Sequence, residues 1–379
     1  MRIAINGMFW AEPHVGSGQY LHNLIQQYAV MDSHDKFVLV LPRFKTVPKP
    51  RLRGIQSVMM PTPFDRTNHN LAKVWFEQIA LLQVAHKVRA EVLHVPYFGP
   101  PLRAGLPTVV SVLDLIPVLL PEYRGGRLVR SYMRLAAAGS KRAQMVIAIS
   151  QQTKQDVINH LRIQAERVAV TYLAAGPTYH PQAPEAVLAV RDRFRIPGPY
   201  IYYIGGFDVR KNVALLIRAF AALLQSRPQS IQLVLAGRPA GSDPVLFPDI
   251  HQVILDTGVA ANVLLLGSVT EAENAALMSG CTAFVAPSQY EGFGLSPLYA
   301  MACGAPVIAS ATTSIGEVVA AGGRLVDPTD QAAWTVALAE VTTDNVYAQH
   351  LRQSGLERAA AFNWRTTAEQ TLGVYHTMV

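Results

Sequence analysis

Pro287-Ser288-Gln289-Tyr290-Glu291-Gly292-Phe293-Gly294-Leu295-Ser296-Pro297-Leu298-Tyr299-Ala300-Met301-Ala302-Cys303-Gly304-Ala305-Pro306 follows directly on an apolar run, Ala283-Phe284-Val285-Ala286. The run reads as a buried strand that stops at Pro287. Gly292 and Gly294 let backbone amides come close to a ligand, and Glu291 puts one carboxylate in the same loop. The residue types place Ser296 as a helix N-cap, Pro297 as the first helical residue, and Gly304 as a left-handed closing residue after Met301, Ala302 and Cys303. A strand, a glycine loop with a carboxylate, and a helix N-terminus aimed at that loop make an anion-tolerant pocket at a sheet's carboxyl edge. An ordinary strand-to-helix turn is the alternative, and a lone Gly-x-Gly would not rise above it.

The stretch resembles the signature of the retaining glycosyltransferase family 4, whose members share the GT-B fold of two Rossmann-like domains. That signature runs Pro-Ser, then Glu-Gly-Phe-Gly-Leu, a second Glu eight residues after the first, and Ala-Met-Ala-Cys-Gly-x-Pro-Val. Pro287, Ser288, Glu291 to Leu295 and Ala300 to Val307 match it. Ser296 stands where a Pro is common, and Tyr299 stands where the second Glu belongs. The resemblance implies that Glu291 meets the donor sugar's hydroxyls and that position 299 meets the nucleotide ribose. A phenol makes one such bond but cannot accept two from a diol as a carboxylate does, a shortfall of ~1–3 kcal/mol if nothing compensates.

The 379 residues, half of them apolar and 16% charged, suit a globular chain with room for two domains. Two cysteines, Cys281 and Cys303, imply core thiols and a reducing compartment rather than a disulfide framework. Met1 to Phe9 reads as a strand, not a signal peptide, and no apolar run approaches the ~20 residues of a membrane span. The expectation is a cytoplasmic protein, peripheral at the inner membrane face if it meets a membrane. Residues 1–190 hold 21 Lys and Arg against 11 Asp and Glu, whereas residues 191–379 hold 12 against 15. A basic half beside a mildly acidic one points to an anionic surface or substrate. Nucleic acid is not expected, since no motif or basic-aromatic interleaving accompanies the charge.

Along the chain, Ile3-Ala4-Ile5 leads through Gly16-Ser17-Gly18 into a helix with Leu21, Leu24, Ile25 and Tyr28 on one face. The family has a glycine-rich loop here over the donor phosphates, so the resemblance makes Gly16 and Gly18 donor-binding candidates; a plain turn is the alternative. Phe37 to Leu41 is a second strand. Residues 42–70, with Pro42, Pro48, Pro50, Pro61 and Pro63, read as an irregular stretch on the acceptor side. A helix is expected over 71–89 with Trp75, Ile79, Leu82 and Val88 on its apolar face, then a strand ending at His94. The family often carries a His there, which makes His94 an acceptor-side candidate against a satisfied strand-end histidine. Pro107 to Leu115 resembles the family's strand ending in His-Asp-Leu, with Leu113 in place of the His and Asp114 matching. Arg124, Arg127, Arg130 and Arg134 recur at helical spacing, which reads as a solvated face or as an anionic-lipid contact. Ser150 and Thr153 read as a helix cap.

Prolines 177, 181, 184 and 197 mark an interdomain linker over 176–199. The pattern then restarts with a strand from Tyr200 to Ile204, the turn Gly205-Gly206, then Asp208, Arg210, Lys211 and Asn212 before a helix. Adjacent cations at such a turn suit a diphosphate, and the context resembles the family's phosphate-binding turn. Thr270 with Glu273 reads as a capping box. Glu317 matches a family Glu expected at a helix start, and Phe362-Asn363-Trp364 resembles the family's closing segment.

The expected fold is therefore α/β of the GT-B type, two Rossmann-like domains with parallel sheets facing across a cleft. The expected boundaries are an acceptor domain over 1–180, a donor-binding domain over 181–355, and a C-terminal helix over 356–379 crossing back. The resemblance implies a hexose-like sugar moved from a nucleotide-sugar donor to a glycan or lipid-linked acceptor, with retention of configuration and no required metal or other cofactor. Arg210, Lys211 and Glu291 are the catalytic candidates. Gly205, Gly206, Gly292, Phe293, Gly294, Leu295 and Tyr299 join Gly16 and Gly18 on the donor side. Two other readings stay open: a non-catalytic GT-B subunit binding a glycan or partner enzyme, and a transferase using a sugar phosphate without a nucleotide.

Overall fold

The computed structural model describes residues 1–46, 50–227, 229–237, 241 and 243–379. Pro48 lies outside them. The chain divides into two compact units, one of residues Met1–Leu173 with Trp364–Val379, the other of Ala174–Asn363.

Unit 1 is built on β1 (Arg2–Asn6), β2 (Lys36–Pro42), β3 (Ile55–Met60), β4 (Val92–Val95), β5 (Thr108–Val112), β6 (Met145–Ala148) and β7 (Val168–Val170). They form one sheet in the order β3-β2-β1-β4-β5-β6-β7, and every pair is parallel. Near-continuous apolar runs such as Ile3-Ala4-Ile5, all without exposure, are what a parallel sheet covered by helices on both faces requires. Unit 2 repeats the plan with β8 (Tyr200–Ile204), β9 (Gln232–Ala236), β10 (Val263–Gly267), β11 (Ala283–Ala286), β12 (Val307–Ser310) and β13 (Arg324–Val326). Its order is β10-β9-β8-β11-β12-β13, again all parallel. Its core joins Ile201, Leu216, Phe220, Leu235, Val285 and Trp334. The strand order reverses between β1 and β4 in unit 1 and between β8 and β11 in unit 2. In an open α/β sheet the crevice outside the carboxyl ends at such a reversal is where ligands bind.

Several local expectations change. The stretch 42–70 is not wholly irregular, because Ile55–Met60 pairs with β2 as an edge strand, where flanking prolines need give no ladder amide. Residues 71–89 are helical, but a π-helical turn over Phe76–Ala80 separates His69–Trp75 from Leu81–Lys87. The wider turn shifts the buried face to Ala72, Phe76, Glu77, Ala80 and Leu81, leaving Trp75, Ile79, Leu82 and Val88 partly exposed. The proline-marked linker holds a helix, Pro184–Phe194, with Pro184 at its first position. Arg124 precedes the helix Arg127–Arg142 instead of lying on it. Glu317 is the fifth residue of the helix Thr313–Val319, not its start. The Thr270–Glu273 capping box and the Ser150 cap on Thr153 form as read. Cys281 and Cys303 are free and buried. No helix among the described residues is long and apolar enough to cross a membrane.

The helix Trp364–His376 packs into unit 1 through a buried polar chain. Tyr375 Oη lies 2.7 Å from His94 Nδ1, and His94 Nε2 lies 2.8 Å from Ser111 Oγ. Burial pushes the His94 imidazole down to about 3, so it folds neutral. The unfolded chain takes up this proton below about pH 6.5 and the folded chain only near pH 3, so stability drains as pH falls through that window. Hydrogen exchange should show protection of residues 364–376, corrected for intrinsic rates, falling between pH 6 and pH 4. Unchanged protection would remove His94 as the tether.

Candidate active site

The crevice between β8 and β11 gathers the residues singled out in the second half of the sequence. β8 is followed by Gly205, whose amide donates to Ala236 O at 3.1 Å, and Gly206, whose carbonyl accepts from Tyr203 Oη at 2.6 Å. The chain then turns through Asp208 and a short 3-10 turn, Val209–Lys211, into the helix Val213–Ser226. Asn212 makes the corner in the left-handed region at φ 58°, a conformation asparagine tolerates. Its amide donates to Pro287 O at 3.3 Å and Pro328 O at 2.8 Å. Gln289 N–H donates to Arg210 O at 2.8 Å. The two loops, 80 residues apart in sequence, are thus stitched together by one backbone bond and the Asn212 side chain.

Glu291 sits between two cations. Lys211 Nζ is 2.5 Å from its Oε1, and Arg210 Nη1 is 2.9 Å from its Oε2. Arg210 Nη1 also donates to Tyr290 O at 2.8 Å, and its Nε lies 3.4 Å from Asp208 Oδ1. These side chains are only 12–18% exposed. Burial is the largest influence on the Glu291 carboxyl and pushes it up, but Lys211 and Arg210 together outweigh burial and hold it at about 2. The site therefore carries two cations against two carboxylates, and a phosphate arriving there must compete with Glu291 for Lys211 and Arg210.

The loop ends at Gly294, which adopts φ 102° and is itself the N-cap of the helix Leu295–Ala302. Ser296 and Pro297 are hence the second and third helical residues, and the helix starts two residues earlier than the serine-cap reading allows. A left-handed glycine reverses the chain more sharply than a capping serine and so starts the helix sooner. The other end closes as read, with Gly304 at φ 74° and bonds from Gly304 N to Met301 O and Ala305 N to Ala300 O. Gly292, Phe293 and Gly294 are buried, and Phe293 meets Phe362 edge-on at 5.9 Å, whereas Leu295 is partly exposed.

Tyr299 is 9% exposed, and its ring stacks on Tyr179 at 3.9 Å with 10° between the planes. Tyr179 Oη in turn accepts from Asn274 Nδ2 at 3.4 Å. The aromatic replacement of a family carboxylate is therefore packed, a partnership that spans 120 positions of sequence and leaves no local trace. Tyr299→Ala should remove about 3 kcal/mol of stability, the usual cost of an aromatic-to-alanine cavity, visible as a lowered urea midpoint. A midpoint equal to wild type would show that the stack carries no weight.

Unit 1 treats its candidates differently. A Cβ on Gly18 would lie 1.8 Å from Glu12 O, so this glycine is required by close backbone packing, while Gly16 has open space around it. His94 is wholly buried with both ring nitrogens engaged. Asp114 accepts from Ile116 N at 3.0 Å and, beside Leu113, lines a cavity shared with Lys73 and Tyr132. Sequence reading passed over Lys73 and the buried Glu77 below it. The signal was an acid four residues after a lysine, flanked by Phe76 and Ala80 on what becomes the buried face.

Two family descriptions match most of the chain, Glycosyl transferases group 1 over residues 191–358 and Glycosyltransferase Family 4 over 15–174. The O-antigen chain mannosyltransferase B of Escherichia coli is 29% identical over 286 residues, covering 75% of this chain and 74% of that protein. The serotype-specific mannosyltransferase WbdA of Escherichia coli is 31% identical over 265 residues, covering 69% of this chain but 32% of WbdA, so the match spans about a third of that relative's length. Among solved structures, Anabaena HepE in complex with UDP and glucose superposes with a TM-score of 0.77 at 21% identity, covering 99% of both chains, a likeness of fold. With two parallel-sheet Rossmann-like domains of the GT-B kind and both family descriptions matched, the chain belongs to the group 1 glycosyltransferases and is a glycosyltransferase enzyme.

Proposed function

We propose that this enzyme moves a hexosyl residue, mannosyl by analogy with its relatives, from a nucleoside diphosphate sugar to a glycan or lipid-linked acceptor in polysaccharide assembly, with retention of configuration. The observation that carries the reading is the Arg210–Glu291–Lys211 cluster at the sheet's reversal point. An acceptor hydroxyl attacks the anomeric carbon, the bond from that carbon to the diphosphate oxygen breaks, and the hydroxyl proton leaves with the departing phosphate. Arg210 and Lys211 meet the charge that grows on the diphosphate, the part a divalent cation plays in other folds. Glu291, released as its partners turn to phosphate, orients the donor's hydroxyls. Backbone amides of Gly292 to Leu295 support the phosphate side, and Gly205 and Gly206 keep the opposite turn low enough for approach.

A thermal-shift panel of GDP, UDP, ADP and their sugar conjugates tests this, since a ligand at ~100 times its dissociation constant adds about 2.7 kcal/mol. A shift selective for one nucleotide, with transfer from its mannose or glucose conjugate, is expected. No shift with any nucleotide would defeat the reading. The stacked Tyr299 favours a second one, a sugar-phosphate donor without a ribose to hold, which predicts a shift with mannose 1-phosphate or glucose 1-phosphate instead.

An anionic membrane surface is the partner proposed for the helix Arg127–Arg142. Arg127, Arg130 and Arg134 are exposed there, and Leu128 is 85% exposed beside them. Co-sedimentation with phosphatidylglycerol vesicles should exceed that with phosphatidylcholine and disappear in Arg127→Glu/Arg130→Glu; equal recovery on both vesicles would refute it.

A further inference from the structure

A cavity of ≈ 390 Å³ lies at the amino edge of the unit 1 sheet, lined by Thr108, the first residue of β5, and by Gln144, just before β6. Crevices at strand-order reversals open outside the carboxyl ends, so this cavity is a separate place in the fold. Its walls are the loop between β4 and β5 and the last turn of the helix Arg127–Arg142. Gly139 on that helix lets the loop press in, since a Cβ there would lie 2.6 Å from Pro100 O. Leu102 N donates to Gln78 Oε1 at 2.9 Å, Thr108 N to Gln144 Oε1 at 3.0 Å, and Leu93 N to Pro107 O at 2.8 Å. Pro100, Pro101 and Pro107 fix their own φ angles as well. The loop is therefore held in shape before any ligand arrives, which spares the ordering cost that binding otherwise carries.

The charge around the cavity is one-sided. Arg103 and Arg142 line it, both exposed, and no acid lines it. The negative carboxyl end of a helix would ordinarily hold nearby cations. Here Arg167 does so, donating to Ala143 O, to Lys141 O at 3.0 Å and to Gln144 O at 3.3 Å. Arg142 keeps one long bond, 3.4 Å to Leu102 O, and Arg103 has no bond among the described residues. Gln144 gives its Oε1 to Thr108, so its side-chain amide nitrogen is the end left to donate. Exposed arginines alone make a solvated face. Two guanidinium groups and an amide donor around a preformed, acid-free cavity make an anion site.

We propose that this cavity binds a phosphomonoester, the phosphate held between Arg103 and Arg142 and the organic group against Pro101, Leu106 and Pro107. A guanidinium fork matches two phosphate oxygens at once, and two forks suit a dianion. The volume falls within the ~300–1,000 Å³ of sites for organic ligands, more than a bare phosphate ion fills. Two sources share this chemistry, a soluble metabolite and the headgroup of phosphatidic acid. The lipid is a source because Lys141 falls at helical spacing on the same face as Arg127, Arg130 and Arg134, which carries that basic stripe to the cavity. The site stands independently of the glycan-transfer reading.

The test titrates the full chain with glycerol 3-phosphate by calorimetry, and separately co-sediments it with phosphatidylcholine vesicles containing phosphatidic acid. Binding is expected in at least one arm, weakened about 3- to 10-fold in Arg103→Ala and in Arg142→Ala, as for charged hydrogen bonds at exposed positions. Arg103→Lys, which keeps the charge but not the fork, should recover part of the loss. Arg103→Ala removes no bond described in the fold, so an unchanged urea midpoint separates lost binding from lost folding. The nucleotide thermal shift should be the same in both alanine variants as in wild type. Binding of glycerol 3-phosphate assigns a soluble ligand, and binding of vesicles alone assigns the lipid; each supports the site. Binding in neither arm overturns it. So does equal binding by wild type and both alanine variants, or glycerol 3-phosphate binding that Arg210→Ala abolishes, which would place the phosphate in the crevice of unit 2. A missing nucleotide shift would defeat the transfer reading and leave this site untouched.

Discussion

Arg210→Ala is expected to lower kcat by about 10²–10³-fold at saturating donor, and Lys211→Ala by a similar factor. The proposed leaving group is a diphosphate, and these two cations, at most 18% exposed, are where its charge would be met. In so sheltered a position a cation works in a lower dielectric than at the surface, and its loss is not made good by water. The two variants should differ in stability. Arg210 also binds Tyr290 O and flanks Asp208, so its removal takes a hydrogen bond from a loop carbonyl and an ion pair from a carboxylate. Lys211 contacts only the Glu291 carboxylate among the bonds described, and Arg210 still covers that carboxylate in its absence. Lys211→Ala should therefore fold close to wild type while turning over slowly, which makes it the cleaner variant. Steady-state kinetics with the donor identified by the nucleotide panel decides the matter. A Lys211→Ala enzyme within threefold of wild-type kcat would remove Lys211 from the reaction.

The architecture was legible because its signals are local. Apolar runs such as Ile3–Ile5 and Ala283–Ala286 read as strands covered on both faces, and strand-helix alternation implies parallel sheets. The Thr270–Glu273 box and Gly304 carry their geometry in their own residue types. What misled were competitions between local signals. Ser296 is a good cap, but Gly294 two residues earlier takes the left-handed corner and starts the helix first. The 3.6-residue period through Trp75, Ile79 and Leu82 is real, yet one π turn moves the buried face by a residue and brings Glu77 inside. Tertiary partnerships stayed invisible altogether. Nothing near Tyr299 announces Tyr179, and nothing near His94 announces Tyr375, 281 positions away. Sequence motifs named Arg210 and Lys211 together for a diphosphate, and Glu291 apart from them for the donor sugar's hydroxyls. That they bind one another in the free protein is a fact of the fold alone.

That mutual binding gives Glu291→Gln an unusual expected result, in which catalysis and product affinity move in opposite directions. Glu291 is held at about 2 and so stays ionised, occupying both cations through the whole range in which the enzyme would work. A nucleoside diphosphate must displace it, and the displacement subtracts from binding. Glutamine keeps the shape and a carbonyl oxygen but removes the charge. Arg210 and Lys211 are then freer to take phosphate, and diphosphate affinity should rise about tenfold, ~1.4 kcal/mol, at the low end of couplings between close charge pairs. Turnover should fall by about 10²-fold, because an amide accepts the donor's hydroxyl hydrogen bonds more weakly than a carboxylate does. Stability has its own signature. Since the folded pKa lies below the ordinary 4.5, the ion pairs stabilise above about pH 4.5, and that contribution drains as pH falls toward 2. The glutamine variant lacks this increment, so its unfolding midpoint should change less than wild type's across that acid window. Calorimetric titration with the preferred diphosphate, beside kcat and acid-unfolding curves, reads all three. Weaker diphosphate binding in Glu291→Gln would mean that the carboxylate organises the two cations for phosphate instead of competing with it.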